Sequence, residues 1–130
     1  MEHKIYTSYF YAINLLIERD YTNLISIAGK TPANFIFRKY NQLAPKYDWW
    51  KEWHDKHLSE DWYINKYNET VLSKLNPKEV YLDLTNNDTE DAVILCYEAP
   101  KKFCHRHLVA NWLSNNLNIL IKEINFQIPY

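Results

Sequence analysis

The stretch AVILCYEAPKKFCHR, residues 92–106, decides how this chain is organised. Residues 92–97 form an uninterrupted apolar run of the length of one strand, which predicts a strand buried on both faces of a parallel sheet. A short loop follows, and a helix is expected to begin near Cys104. In an open parallel sheet, ligands bind beyond the carboxyl ends of the strands and against helix N-termini. We therefore expect a functional site at this junction.

The bulk properties predict a globular chain without a general affinity for polyanions. The 130 residues suffice for one domain with its own core, and 47% of them are hydrophobic. The net charge is -1, which favours neither nucleic acid nor an anionic membrane. No apolar run approaches the roughly 20 residues that a membrane span needs, and no signal segment follows Met1. We expect a single domain, residues 1–130, located in the cytoplasm, with no membrane partner.

The cysteine and glycine counts limit the chemistry further. The two cysteines of a chain without a secretory signal are more often free thiols than a disulfide. With one glycine, Gly29, neither a dinucleotide-binding glycine motif nor a P-loop is available. The spacing of Cys96, Cys104 and His105 fits no standard zinc pattern, and a fourth ligand is not evident. We predict no metal site and no cofactor.

Strand and helix patterns alternate along the rest of the chain. We expect strands at residues 4–9, 24–28, 92–97 and 119–126, and helices at 10–19, within 33–76, from 77 to about 86 and from about 104 to 116. Ser59 and Asn76 are expected helix N-caps, the second followed by Pro77 at the first helical position. A strand, a crossover and a strand favour parallel pairing. Three or four mostly parallel strands with helices between them predict a compact α/β sandwich.

The last predicted helix carries the second half of the expected site. Its buried stripe is formed by Leu108, Val109, Trp112 and Leu113. One turn earlier, Cys104 and His105 fall on the same stripe, because side chains four residues apart share a helix face. Arg106 is expected at the edge of the stripe, and His107 should point outward.

Three residues of the junction are candidate catalytic residues. The field of a helix N-terminus and a nearby arginine favour the thiolate form of Cys104. His105 and Glu98 could move protons, and Glu98 could also orient His105. The alternative for each is a structural role: Cys104 and His105 can pack in the core, and Glu98 can pair with Arg106 to tie the strand to the helix.

Four further residues are candidate ligand-binding residues. Arg106 can donate two hydrogen bonds to a phosphate or a carboxylate. The end of the second strand, from Ser26 to Lys30, should lie close in space, so that Lys30 adds positive charge. Cys96 could contribute its sulfur, although a cysteine inside an apolar strand is also typical of a core residue.

The junction resembles the family known as domain of unknown function 488. Members of that family carry a strand that ends in Cys-x-Glu, a short loop, and Cys-His-Arg at the start of a helix. The corresponding residues here are Cys96-Tyr97-Glu98 and Cys104-His105-Arg106. The N-terminal Ile5–Tyr9 and the region of Pro32 are also similar to the family's opening strand and second strand end. The resemblance covers most of the chain.

This resemblance implies a small Rossmann-like, three-layer α/β sandwich with a short, mostly parallel sheet. The family has no established biochemical role, so the resemblance marks a site without naming a reaction. Many members carry Asp-Val-Arg at the second strand end, where this chain has Ser26-Ile27-Ala28. This chain therefore lacks those two charged groups, and Lys30 is the candidate replacement for the arginine.

Three functions remain open from the sequence. The first is a pocket for an anionic small molecule, a nucleotide or the phosphate of a nucleic acid, with Cys/His/Glu chemistry. The second is a non-enzymatic inhibitor or adaptor of phage or bacterial origin. It would bind a protein partner through the aromatic helical middle at Trp49 and Trp50, and the Cys-Glu-Cys-His-Arg cluster would be structural. The third is a thiol enzyme that uses Cys104.

Overall fold

The computed structural model describes residues 1–100 and 102–126, so Lys101 of the predicted loop lies outside the described residues. The strands are β1 (Ile5–Tyr9), β2 (Leu24–Ser26), β3 (Arg38–Lys39), β4 (Ala92–Cys96) and β5 (Lys122–Glu123). The α-helices are α1 (Ile13–Glu18), α2 (Tyr47–Asp55), α3 (Glu60–Thr70), α4 (Pro77–Leu84) and α5 (His105–Leu117). Short 3-10 helices occur at Phe10–Ala12, Asn41–Leu43 and Leu72–Lys74.

The five strands form one parallel sheet in the order β3-β2-β4-β1-β5. β4 lies at the centre between β1 and β2, and all five of its residues are buried. This position explains its continuous apolar sequence, because a central strand of a parallel sheet is covered on both faces. The predicted Rossmann-like α/β class is confirmed, and the pairing in the described sheet is wholly parallel.

Helices cover both faces of the sheet and produce three layers. On one face, Ile5 and Ile94 pack in the larger core with side chains from α2, α3, α4 and α5. On the other face, Val93 and Leu95 pack against Leu16 of α1. The alternation of side chains along β4 therefore divides the core into two layers.

Both predicted helix caps are present. The Ser59 hydroxyl accepts a hydrogen bond from the Trp62 amide at 3.1 Å, and the Asn76 side-chain oxygen accepts one from the Glu79 amide at 3.1 Å. Each cap satisfies an N–H group that has no partner within its helix. Pro77 occupies the first turn of α4, where a missing N–H group is not needed.

Two predictions about the edge strands of the sheet are wrong. The segment 33–76, predicted as helical, contains the two-residue strand β3, which pairs with β2. The last strand comprises Lys122–Glu123 rather than residues 119–126. Two-residue edge strands are stabilised by pairing with their neighbours and are too short to show a periodic pattern. In the described part of the chain, no helix has the length and apolar character that a membrane crossing requires.

Candidate functional site

The site lies at the carboxyl edge of the sheet, where β4 ends and α5 begins. Cys96 is the last residue of β4, and Cys104 is the N-cap of α5 with an extended backbone. The end of β2 is the neighbouring element, because the Ile27 amide donates to the Leu95 carbonyl at 3.1 Å. The sequence pattern thus located the junction correctly. Its side-chain contacts, however, differ from the expectation in several respects.

Cys96 and Cys104 are joined by a disulfide bond, with their Cα atoms 7.2 Å apart. Both residues are buried, with 1% and 6% of their surface exposed. The expectation of free thiols is wrong for this structure, because the turn between β4 and α5 returns the chain so that the two sulfur atoms meet. The spacing of eight residues does not reveal this proximity.

His105 is held in one orientation by the end of β2. Its Nε2 atom donates to the Ile27 carbonyl at 2.6 Å, so the neutral ring carries its proton on Nε2. Nδ1 consequently has a free lone pair, and it lies 3.9 Å from Cys104 Sγ. Burial lowers the pKa of His105 to about 4, and the neighbouring positive charge of Arg106 adds to this effect. His105 is therefore neutral at pH 7.

Arg106 lies inside the molecule, and its expected position at the edge of the helix stripe is wrong. It is 0% exposed, and its Nε and Nη2 atoms donate to the two carboxylate oxygens of Glu123 at 3.0 and 2.9 Å. Its Nη1 atom donates to Cys96 Sγ at 3.1 Å. The hydroxyl of Thr7 donates to Glu123 as well. The guanidinium group is thus occupied by protein partners.

Glu123 is a site residue that the sequence reasoning missed. It lies on β5, 17 residues after Arg106, inside a segment predicted only as a strand. The only signal in the sequence was an acidic residue between the apolar residues Ile121 and Ile124 of a segment predicted as a strand. The sequence pattern instead indicated Glu98 as the partner of Arg106.

Glu98 and Lys30 occupy the exposed rim of the site. Among the described residues, Glu98 makes no hydrogen bond or ion pair with His105 or Arg106, so its expected role in orienting them is not observed. The Lys30 carbonyl accepts a hydrogen bond from the Tyr97 hydroxyl at 2.6 Å. The loops after β2 and β4 therefore meet, as the sequence predicted.

Ser26 and His107 complete the set of residues named from the sequence. The Ser26 hydroxyl is buried and lies 2.7 Å from the Thr31 hydroxyl, so it bridges the end of β2 and the following loop. His107 is half-buried rather than exposed. Burial, and to a smaller extent the positive charge of Arg106, lowers the pKa of His107. The structure thus gathers Cys96, Cys104, His105 and Arg106 in one buried cluster and leaves Glu98 and Lys30 at the rim.

The cluster is closed in this structure. One surface groove of about 430 Å³ is lined by residues of α3 and α5, including Asn68 and Trp112. Another of about 270 Å³ lies beside Arg38 and Asp83. Neither groove is lined by Cys96, Cys104 or His105. Because Cys96 and Cys104 are buried, a ligand could reach the sulfur atoms only if the rim opened.

The aromatic middle segment is mainly part of the core. Trp49 is 7% exposed, and its ring nitrogen donates to the Thr70 hydroxyl at 2.9 Å, so its proposed role in a partner surface is wrong. Trp50 is partly exposed and stacks between Tyr47 and His54 along the outer face of α2.

Fold and site together define a small parallel α/β protein with a Cys-Cys-His-Arg cluster at the carboxyl edge of its sheet. The family described as the active DUF488-N3 subclade matches residues 22–117, from just before β2 to the end of α5. The chain therefore belongs to the domain of unknown function 488 family. Glu123 lies outside the matched residues. No curated protein and no solved structure matches the chain.

Proposed function

We propose that the β4–α5 junction binds an anionic ligand, a nucleotide or a nucleic-acid phosphate, and that Cys104 acts there as a thiolate. One observation carries this proposal. Cys104 is the N-cap of a thirteen-residue helix, and its sulfur lies 3.9 Å from the free Nδ1 atom of a histidine fixed on a backbone carbonyl. A thiol next to an oriented imidazole at a helix N-terminus is a typical arrangement for nucleophilic cysteine chemistry.

The helix start supplies the anion-binding groups. Among the described residues, the side chain of Cys104 makes no capping hydrogen bond to the first turn of α5. The N–H groups of that turn, together with the helix dipole, favour a negative charge. Either the Cys104 thiolate or a phosphate oxygen can occupy this position. Arg106 has a structural role beside the site, because its ion pair with Glu123 already neutralises its charge.

His105 orients the thiol rather than deprotonating it fully. Its low pKa, about 4, makes the imidazole a weak base at pH 7, so the thiolate is stabilised mainly by the helix. Nδ1 can accept a hydrogen bond from the thiol when Cys104 is protonated. In this proposal Glu98, which is exposed at the rim, exchanges protons with solvent.

The working form in this proposal is the reduced protein. The cytoplasm, where we place the chain, keeps most thiols reduced. Reduction of the Cys96–Cys104 bond frees Cys104 and leaves Cys96 hydrogen-bonded to Arg106. The disulfide form is then the closed state of the site.

Selective alkylation tests the proposal. The protein is reduced with a phosphine, the phosphine and metal ions are removed, and iodoacetamide is added at pH 7 with peptide mapping. Cys104 should react at least tenfold faster than Cys96, which serves as the internal control, and added nucleotide should slow the reaction. If Cys104 reacts only after denaturation, or if no phosphate-bearing ligand protects it, the proposal is contradicted.

A second candidate function is a non-enzymatic inhibitor or adaptor of phage or bacterial origin. The stack of Tyr47, Trp50 and His54 on the outer face of α2 favours it, since exposed aromatic side chains are common at protein interfaces. The variant Trp50→Ala should lose a protein partner, with a smaller loss of stability than Trp49→Ala because Trp50 is only partly buried. The variant Trp49→Ala, whose ring is buried, is the control that should lose stability instead. A partner that still binds the Trp50→Ala variant with full affinity would exclude this surface.

A further inference from the structure

We propose that the reduced protein holds one thiophilic divalent cation, with Zn²⁺ as its natural representative, on Cys96, Cys104 and His105. These three buried side chains place their candidate ligand atoms within 4.8 Å of one another. Two thiolates and one imidazole are the ligand types that zinc prefers, and hard cations such as Mg²⁺ avoid them. The inference concerns the same cluster as the proposed function but does not depend on it.

The distances suit a tetrahedral ion. Bonds of about 2.3 Å to sulfur and about 2.0 Å to nitrogen would separate a sulfur and a nitrogen ligand by roughly 3.5 Å. The observed distance between Cys104 Sγ and His105 Nδ1 is 3.9 Å. The Cα atoms of the two cysteines are 7.2 Å apart, which leaves room for the reduced sulfur atoms to separate to the roughly 3.8 Å that two thiolates take on one zinc ion.

The groups that form hydrogen bonds with the candidate metal ligands are already in position. His105 Nε2–H donates a hydrogen bond to the Ile27 carbonyl, which leaves Nδ1 as the coordinating atom. Metal-ligating histidines usually donate a hydrogen bond from their other ring nitrogen in this way. Arg106 Nη1 donates to Cys96 Sγ, and hydrogen bonds to metal-bound thiolates tune such sites.

The charges in the cluster are compatible with a bound cation. Arg106 is a positive group in contact with Cys96, but its bidentate pair with Glu123 compensates its charge. Two thiolates would then balance the two charges of the metal. Three protein ligands leave the fourth tetrahedral position open for water, or for the anion of the proposed function.

Metal binding requires the disulfide to open first. Cleavage of the Cys96–Cys104 bond takes two electrons and two protons from a dithiol reductant, which itself becomes a disulfide. The metal then displaces the two thiol protons to solvent. The oxidised protein therefore cannot bind the cation at this site.

Cobalt titration tests the site in the wild-type protein without any variant. Co²⁺ is added without oxygen to the phosphine-reduced protein and to the oxidised protein. The reduced form should bind one equivalent, with visible bands of a tetrahedral ion and a sulfur-to-cobalt charge-transfer band, and Zn²⁺ should displace it. The oxidised form should show neither band. Absence of both bands from the reduced protein, or equal bands from the two forms, would overturn the inference.

Two variants identify the ligands. The double variant Cys96→Ser/Cys104→Ser should lose the charge-transfer band completely, and His105→Asn should weaken binding at least tenfold. His54→Asn, at an exposed histidine of α2, is the control and should bind as the wild type does. If the double variant still binds one equivalent with wild-type affinity, the cysteines are not ligands. Alkylation of Cys104 is measured on metal-free protein, so failure of the metal inference and failure of the proposed function remain distinguishable.

Discussion

Arg106 and Glu123 form a bidentate ion pair that ties the start of α5 to β5. Arg106 is completely buried, and the Glu123 side chain is 16% exposed. Burying a charged group costs free energy unless a partner compensates it. The pair therefore allows the guanidinium group to lie inside the molecule beside Cys96, and it fixes the position of the short edge strand.

Loss of this pair should strongly destabilise the fold. The variant Glu123→Ala leaves the Arg106 charge buried without its partner, and we expect the free energy of unfolding to fall by about 3 kcal/mol or more. Urea unfolding measures the change. The exposed pair of Lys51 and Asp55 provides the control, and Asp55→Asn should leave the midpoint unchanged within error. Equal midpoints for the wild type and Glu123→Ala would show that the pair is not needed for stability.

Reduction of the disulfide should lower stability by a moderate amount. The Cys96–Cys104 bond closes a short loop, with a sequence separation of 8, and constrains the unfolded chain. A loop of this length predicts a loss of about 2 to 3 kcal/mol on reduction. Urea unfolding with and without a phosphine, in the absence of metal ions, gives the difference. The Cys96→Ser/Cys104→Ser variant should not respond to the phosphine, and an unresponsive wild type would mean that the bond does not form in solution.

Stability should fall with decreasing pH because of His105. The pKa of this histidine is about 4 in the folded protein and ordinarily 6.5, so the unfolded chain binds more protons between these values. The contribution of His105 to the free energy of unfolding should therefore decrease as the pH falls from about 6.5 to 4 and level off below, with a total of about 3 kcal/mol. His105→Gln should show a shallower slope over this range, and the exposed-site variant His54→Gln should keep the wild-type slope. A wild-type slope in His105→Gln would contradict this assignment.

Two tyrosine hydroxyls allow a matched comparison of buried and exposed hydrogen bonds. Tyr67 donates to the Leu43 carbonyl at 2.5 Å inside the core, and Tyr97 donates to the Lys30 carbonyl at 2.6 Å at the surface. Tyr67→Phe leaves a buried carbonyl without its partner, so it should cost about 1 to 2 kcal/mol. Tyr97→Phe should cost much less, because water can replace its hydroxyl. Thermal or urea unfolding of both variants measures the two losses of stability. Equal losses for Tyr67→Phe and Tyr97→Phe would contradict this prediction.

Local patterns in the sequence predicted the main elements well. The apolar run at 92–97 identified the central strand, and Ser59 and Asn76 identified two helix starts, because caps and periodicity act between neighbouring residues. The junction of β4 and α5 was also located correctly. β3 was missed and β5 was predicted too long, since both strands are stabilised by pairing with distant residues.

By itself, the sequence determined the α/β class, the central strand, the helix caps and the position of the Cys-His-Arg junction. These follow from side-chain periodicity and from hydrogen bonds within one or two turns. Only the tertiary structure decided the partners at that junction: Cys96 with Cys104, His105 with the Ile27 carbonyl, and Arg106 with Glu123 rather than with Glu98. Such contacts depend on strand order, on the path of the connecting loops and on which buried group must be compensated, and they join residues 8, 78 and 17 positions apart in the chain.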